Sequence, residues 1–204
     1  MLQARHIHFA HPGQAPLLSD WSATLMPGLT ALQGDMGSGK TTVLRVVAGE
    51  WPCQGELLLQ GVALADAPEA YRRQVCWAQP RDEALDALNP AEVLAALERL
   101  HGNADRAAWQ RHIDGFGLAP HAHKAMYMLS TGSRQKAVLA AALSLSCALT
   151  LLDEPTTGLD AASIDWLEDA LVARASIPQR AVLLVCSRGL DTLPLAGTIT
   201  LPSL

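Results

Sequence analysis

Nine residues, GDMGSGKTT from Gly34 to Thr42, combine three glycines, a lysine and three hydroxyls. Glycines let successive backbone N–H groups turn inward around an anion, and the spacing G-x-x-x-x-G-K-[ST] is that of a phosphate-binding P-loop. In such a loop Lys40 reaches the β- and γ-phosphates and the Thr41 hydroxyl ligates magnesium, while Gly34, Gly37, Ser38, Gly39 and Thr42 complete the cradle. A helix starting near Lys40 adds the positive end of its dipole, about 0.3–1 kcal/mol at an exposed site. The plainer alternative is a glycine-rich turn between a strand and a helix. A second stretch, LTLLDEPTTGLD from Leu149 to Asp160, ends an apolar strand in two acids. Asp153 is placed to hold the magnesium shell and Glu154 to orient or deprotonate an attacking water; a helix cap or a solvated turn is the alternative.

The elements that must position these residues alternate. Short β-like runs open the chain (QARHIHF, WSATLM, LTALQG, then GELLLQG and RQVCWAQ), with a helical KTTVLRVVAG among them. From Asn89 to about Ser146 the pattern turns helical, with Asn89 as a cap and Pro90 in the first turn. Strand ALTLLDEP, helix AASIDWLEDALVARA, strand RAVLLVCS and a final strand near GTITL follow. Continuous apolar strands are what a sheet covered on both faces requires. The order predicts a parallel α/β core interrupted by a helical lobe.

A chain of 204 residues, half of them apolar, suits one domain with an inserted lobe. Its net charge of −5 and lack of a Lys/Arg block argue against a direct nucleic-acid partner. Cys53, Cys76, Cys147 and Cys186 form no C-x-x-C pair, so reduced thiols are expected. The N-terminal residues hold no apolar run of signal-peptide length, and the run from Ala137 to Leu152 is shorter than the roughly 20 residues a spanning helix needs. A cytoplasmic protein is expected.

LSTGS, Leu129 to Ser133, stands before a long apolar helix, where its hydroxyls suit an N-cap. The P-loop, then LSTGS, then LLDEPTTGLD resembles the ATP-binding cassette family, the ATPase subunits of ABC transporters. That resemblance runs through nearly the whole chain. It implies an α/β fold with a P-loop NTPase core around a parallel sheet, a small antiparallel β lobe and an inserted helical lobe at about 89–146, all within one ATPase domain spanning 1–204. It also implies ATP hydrolysis with magnesium, and a head-to-tail pair with a second ABC ATPase subunit, in a homodimer or heterodimer. ATP would lie between one copy's P-loop and the other's signature, so Ser130, Thr131, Gly132 and Ser133 would act in trans. Gln79 resembles the glutamine that links γ-phosphate and metal to the helical lobe, and Asp160 the aspartate that crosses the dimer interface. His11 lies where the family has an adenine-stacking aromatic, with Phe9 as the alternative. A metal cluster of His6, His8 and His11 is a weaker reading than ordinary strand and turn histidines, and His121 and His123 read as a solvated turn.

Two departures stand out. Thr131 replaces the signature's first glycine and Ser133 its glutamine, a form that tilts the reading toward export. After the last core strand Arg188 replaces a histidine that bonds the γ-phosphate; it would serve as a non-titrating donor, or else face solvent. Because the sequence ends soon after its last strand, the C-terminal regulatory domain of some importers is not expected. The resemblance therefore implies a transporter's ATPase, peripheral on the cytoplasmic face of the membrane and working through a separate transmembrane permease. Two rivals are a soluble cassette ATPase acting on DNA or ribosomes and a low-turnover regulatory subunit.

Overall fold

Leu2–Ala10 (β1) and Pro16–Leu25 (β2) pair as an antiparallel hairpin, and Gln54–Leu59 (β4) and Val62–Ala63 (β5) extend it to a four-stranded sheet ordered β2-β1-β4-β5. A second sheet is parallel throughout and ordered β6-β7-β8-β3-β9. Its strands are Gly28–Gln33 (β3), Val75–Cys76 (β6), Leu149–Asp153 (β7), Ala181–Val185 (β8) and Leu195–Thr200 (β9). The computed structural model describes residues 1–77, 79–186 and 192–201.

The helices are Lys40–Val47 (α1), Pro68–Arg73 (α2), Pro90–His101 (α3), Arg106–Gly115 (α4), Thr131–Ser144 (α5) and Ala161–Ala175 (α6). Helices α3 to α5 lie between β6 and β7 in the chain, and α5 packs against both α3 and α4. The insertion begins where the sequence marks it. Asn89 accepts from the Ala91 and Glu92 amides while Glu92 returns a bond to the Asn89 amide, a complete capping box ahead of Pro90.

The parallel sheet is buried on both faces because its central strands are apolar at every step. Leu149 and Leu151 of β7, with Leu183 and Val185 of β8, face a core shared with α1 and the antiparallel sheet. Leu152, Val182 and Leu184 point the other way, into a core built with α3, α5 and α6. The order is that of a P-loop NTPase core with a small antiparallel lobe and an inserted helical lobe, an α/β fold.

Some elements differ from the sequence pattern. RQVCWAQ yields only the two-residue β6, and the alternation of β1 breaks at a bulge where His6 adopts φ 52°. His6 pairs with the Asp20 carboxylate at 2.6 Å and His8 accepts from the Asp20 amide, while His11 turns away toward aromatic rings, so the three histidines do not converge. His121 ends a short 3-10 turn half-buried, with its Nδ1 shielded and unpartnered among the described residues, so it is less solvated than its surroundings in the sequence imply.

Candidate functional site

In an open parallel sheet the crevice beyond the carboxyl ends of the strands is the natural place for a ligand. Here β3 runs directly into Gly34–Gly39, β7 ends in Asp153, and Trp77 and Gln79 follow β6. Arg188, which follows β8, lies outside the described residues.

The loop after β3 turns on glycines and is crossed by its own lysine. Gly39 caps α1 in the left-handed region at φ 90°, where any side chain is strained, and a Cβ there would also press within 2.5 Å of the Leu17 side chain of β2. Gly37 also has positive φ, with open space where a Cβ would point. Lys40 folds back across the loop, donating to the carbonyls of Gly34 and Asp35 at 2.8 Å each. The Ser38 hydroxyl is buried and has no hydrogen-bond partner among the described residues. Buried hydroxyls are normally paired, so an unpaired one in a cradle of amides points to an acceptor supplied by a ligand.

Thr41 and Asp153, distant in sequence, meet at 2.7 Å, the hydroxyl donating to Oδ2. Gln79 lines the same cleft, and the side-chain oxygens of these three residues would suit a hard cation such as magnesium. The next residue, Glu154, holds φ 46°, a conformation rare for a side chain of its size, and its amide donates to the Val185 carbonyl at 2.8 Å. Thr41, Gln79, Asp153 and Glu154 line one cleft of about 590 Å³, which Thr131 and Arg134 of α5 close from the helical side.

Ser130 caps α5: its Oγ accepts from the Ser133 amide at 3.1 Å and donates to the Ser133 hydroxyl at 3.0 Å. Of LSTGS, Leu129 and Thr131 border the cleft; among its described walls Ser130, Gly132 and Ser133 are absent. Gly132 touches the turn after β7 so closely that a Cβ would stand 2.3 Å from the Gly158 carbonyl. Asp160 caps α6 through Ser163 and pairs with Lys136 at 2.7 Å. The Lys136 ammonium and the bonds from Ser163 hold the Asp160 carboxyl well below the usual carboxylate range. His11 stands apart from the cleft, edge-on to Phe9 and Trp51.

Three side chains in the first turns of α5 extend this set beyond what spacing revealed. Arg134 donates to the Pro80 carbonyl, to the Asp82 carbonyl at 2.9 Å and to the Asp86 carboxylate at 2.5 Å. Gln135 donates to the Pro155 carbonyl at 3.1 Å, and Lys136 holds Asp160. One helix start thereby grips the segment after Gln79 and the segment after Glu154. The available signal was Arg-Gln-Lys, three long polar residues opening an otherwise apolar helix. Trp51 was also missed, because its ring partners come from β1 and α1.

The family model described as ABC transporter matches residues 18–157. A cytochrome c biogenesis ATP-binding export protein CcmA from Paramagnetospirillum magneticum is 42% identical over 148 residues, 71% of this chain and 68% of that protein. Its counterpart from Rhodospirillum rubrum is 40% identical, covering 79% of this chain and 70% of the relative. A molybdenum import ATP-binding protein ModC from Albidiferax ferrireducens is 35% identical over 74% of this chain but only 44% of its own length. Among solved structures, an ATP-binding subunit of an ABC transporter superposes with a TM-score of 0.81 at 24% identity, covering 91% of this chain and 79% of the other. With the family model spanning well over half its length, the chain belongs to the ABC transporter family, as an ATP-hydrolysing member.

Proposed function

We propose that the chain is the ATPase subunit of an export-type transporter serving cytochrome c biogenesis, working on the cytoplasmic face of a membrane through a separate permease. The observation that carries the chemistry is the Thr41–Asp153 contact at 2.7 Å beside a lysine-filled glycine loop. The direction and setting are supported by the names of the relatives at 42% and 40% identity, both export proteins of cytochrome c biogenesis, against an importer at 35%. Among the described residues no helix is long and apolar enough to cross a membrane, in keeping with a permease on another chain.

In this reading the amides of Gly34 to Thr42 and the Lys40 ammonium bind the triphosphate of ATP. Lys40 exchanges its two loop carbonyls for phosphate oxygens, and the Ser38 hydroxyl gains the acceptor it lacks. Thr41, Asp153 and Gln79 would hold magnesium, which when bound neutralises charge on the phosphate oxygens and helps place them for displacement. Glu154 orients the attacking water and accepts its proton; its left-handed backbone directs the side chain into the cleft rather than along the strand. Arg188 donates to the γ-phosphate. His11, with Phe9 beside it, receives the adenine ring. Ser130, Thr131, Gly132 and Ser133 present the start of α5 to a nucleotide held by a second ATPase subunit, and Asp160 lies at that dimer interface.

The test is complementation. A strain lacking this chain should lose covalently haem-bearing c-type cytochromes on a haem-stained gel and recover them with the wild-type chain. Neither Lys40→Ala, which removes the cation facing the triphosphate, nor Glu154→Gln, which keeps shape but accepts no proton, should restore them. Normal c-type cytochromes in the deletion strain would contradict the setting; full rescue by Lys40→Ala would contradict the P-loop role.

A further inference from the structure

One line of side chains joins the His11 rings to the cleft, two places that share no wall residue among those described. Phe9 and Trp51 stack with ring centres 5.5 Å apart and planes 12° from parallel. His11 stands edge-on to both, at 5.1 Å from Phe9 and 5.2 Å from Trp51. The Arg45 guanidinium lies 5.0 Å from the centre of the Trp51 ring and 5.1 Å from that of Trp77, so one cation bridges two indoles. Trp77 lines the cleft beside Thr41 and Glu154, two residues before Gln79.

Local structure explains how the bridge forms. Arg45 is in the last turn of α1, the helix that starts at Lys40. The chain then turns back on that helix end, with the Glu50 and Trp51 amides both donating to the Arg45 carbonyl, at 3.0 and 3.4 Å. This return sets Trp51 over the side chain of the residue whose carbonyl it bonds. Glu50 holds the guanidinium at 3.1 Å from another direction. A cation shared between two ring faces has few alternative placements, because leaving either face forfeits the attraction of that ring's quadrupole.

We infer that Arg45 is a positioning residue that relays occupancy of the base end of the nucleotide site, through Trp51 and Trp77, to the segment carrying Gln79. The inference rests on the proposed place of adenine at His11. A purine settling against His11 and Phe9 competes for the faces and edges these rings now offer one another, so Trp51 must shift or be clamped. Arg45 follows the Trp51 face, and Trp77 follows Arg45. The device is a ring–cation–ring element whose arrangement both ends bias, the physical requirement for coupling between sites.

The experiment uses the full chain labelled with 5-fluorotryptophan and observed by fluorine NMR, with the Trp51 and Trp77 signals identified by their loss in Trp51→Phe and Trp77→Phe. ATP and inorganic tripolyphosphate are each titrated without magnesium, so that the difference between them reports the base and ribose rather than the phosphates. The expected result is a difference at both Trp51 and Trp77 in the wild type. In Arg45→Met, which keeps the stem and helix propensity, that difference should survive at Trp51 and vanish at Trp77. With magnesium, Arg45→Met should lower kcat by about 2- to 30-fold while KM for ATP holds, and Arg45→Lys should recover part of the loss. If Arg45→Met does not fold, Arg45→Gln takes its place.

A wild-type response at Trp51 without one at Trp77, or a Trp77 difference that persists in Arg45→Met, overturns the relay and leaves the base site standing. If Trp51 does not distinguish ATP from tripolyphosphate, the adenine is not at His11, and both the base site and the relay fail.

Discussion

His112 lies in the last turn of α4 with its ring 6.4 Å from Phe116 and 6.1 Å from Trp166, buried, its Nδ1 without a partner among the described residues. Burial pushes its pKa down to about 4, helped by the Arg111 and Arg174 charges and opposed by Asp105. An unfolded histidine titrates near 6.5, so between about pH 6.5 and 4 the unfolded chain takes a proton that the folded chain refuses. The stability this neutral ring contributes is complete above about pH 6.5 and is lost as the pH falls toward 4, at most about 3 kcal/mol. His112→Leu should flatten that part of the pH dependence of the urea midpoint, while His101 and Asp160, which are not among the groups acting on His112, titrate alike in both proteins. An unchanged slope would contradict it. Residues of this kind are not legible in sequence: Lys40, Thr41 and Asp153 announce themselves by local spacing, whereas His112 owes its character to Trp166 on another helix. Trp51 is hidden for the same reason.

Helix α6 is fastened by a cation with no carboxylate among its described partners. Arg174, 3% exposed, donates to the carbonyls of Leu143, Leu145 and Cys147 and twice to the Thr150 hydroxyl. Leu143 and Leu145 sit at the C-terminal end of α5, whose unpaired carbonyls and negative dipole end suit a guanidinium. Arg174→Met fills much of the volume but strands those carbonyls, so it should cost about 3–5 kcal/mol and lower Tm by roughly 6–20 °C. A melting temperature within about 2 °C of wild type would show that the carbonyls find other partners. The elements themselves were largely readable. Asn89, Pro90 and Glu92 spell out the start of α3, and the apolar runs of β7 and β8 predict a sheet covered on both faces. Shorter pieces were not: β5 and α2 span too few residues to show a period, β6 is shorter than the run RQVCWAQ that marks it, and the first half of β2, PLLSD, opens on a proline and lacks clean alternation.

At the scale of the molecule, the change from strand to helix pattern at Asn89 and back at Leu149 made the inserted lobe legible. The contacts that join the lobe to the core were not, since Arg134, Gln135 and Lys136 reach segments far away in sequence. These ties hold the start of α5 against the turns after Gln79 and Glu154, and leave the hydroxyls of Ser130 and Ser133 turned to each other while Thr131 borders the chain's own cleft. Among the described walls of that cleft Thr41 of the P-loop is present and Ser130 is not, in keeping with the proposal that a second ATPase subunit brings its own Ser130 to the nucleotide. The most direct measurement is ATP turnover in a mixture of two inactive variants, Lys40→Ala and Ser130→Arg. Each alone should turn over little ATP, the first because the triphosphate loses its cation, the second because the arginine fills the space needed by the opposite nucleotide while its own P-loop still binds ATP. In a mixed dimer one composite site keeps both Lys40 and Ser130, so the mixture should hydrolyse ATP well above the sum of its parts. A mixture as silent as the separate variants, with Ser130→Arg also unable to bind ATP as a monomer, would place Ser130 beside its own P-loop and contradict the shared site.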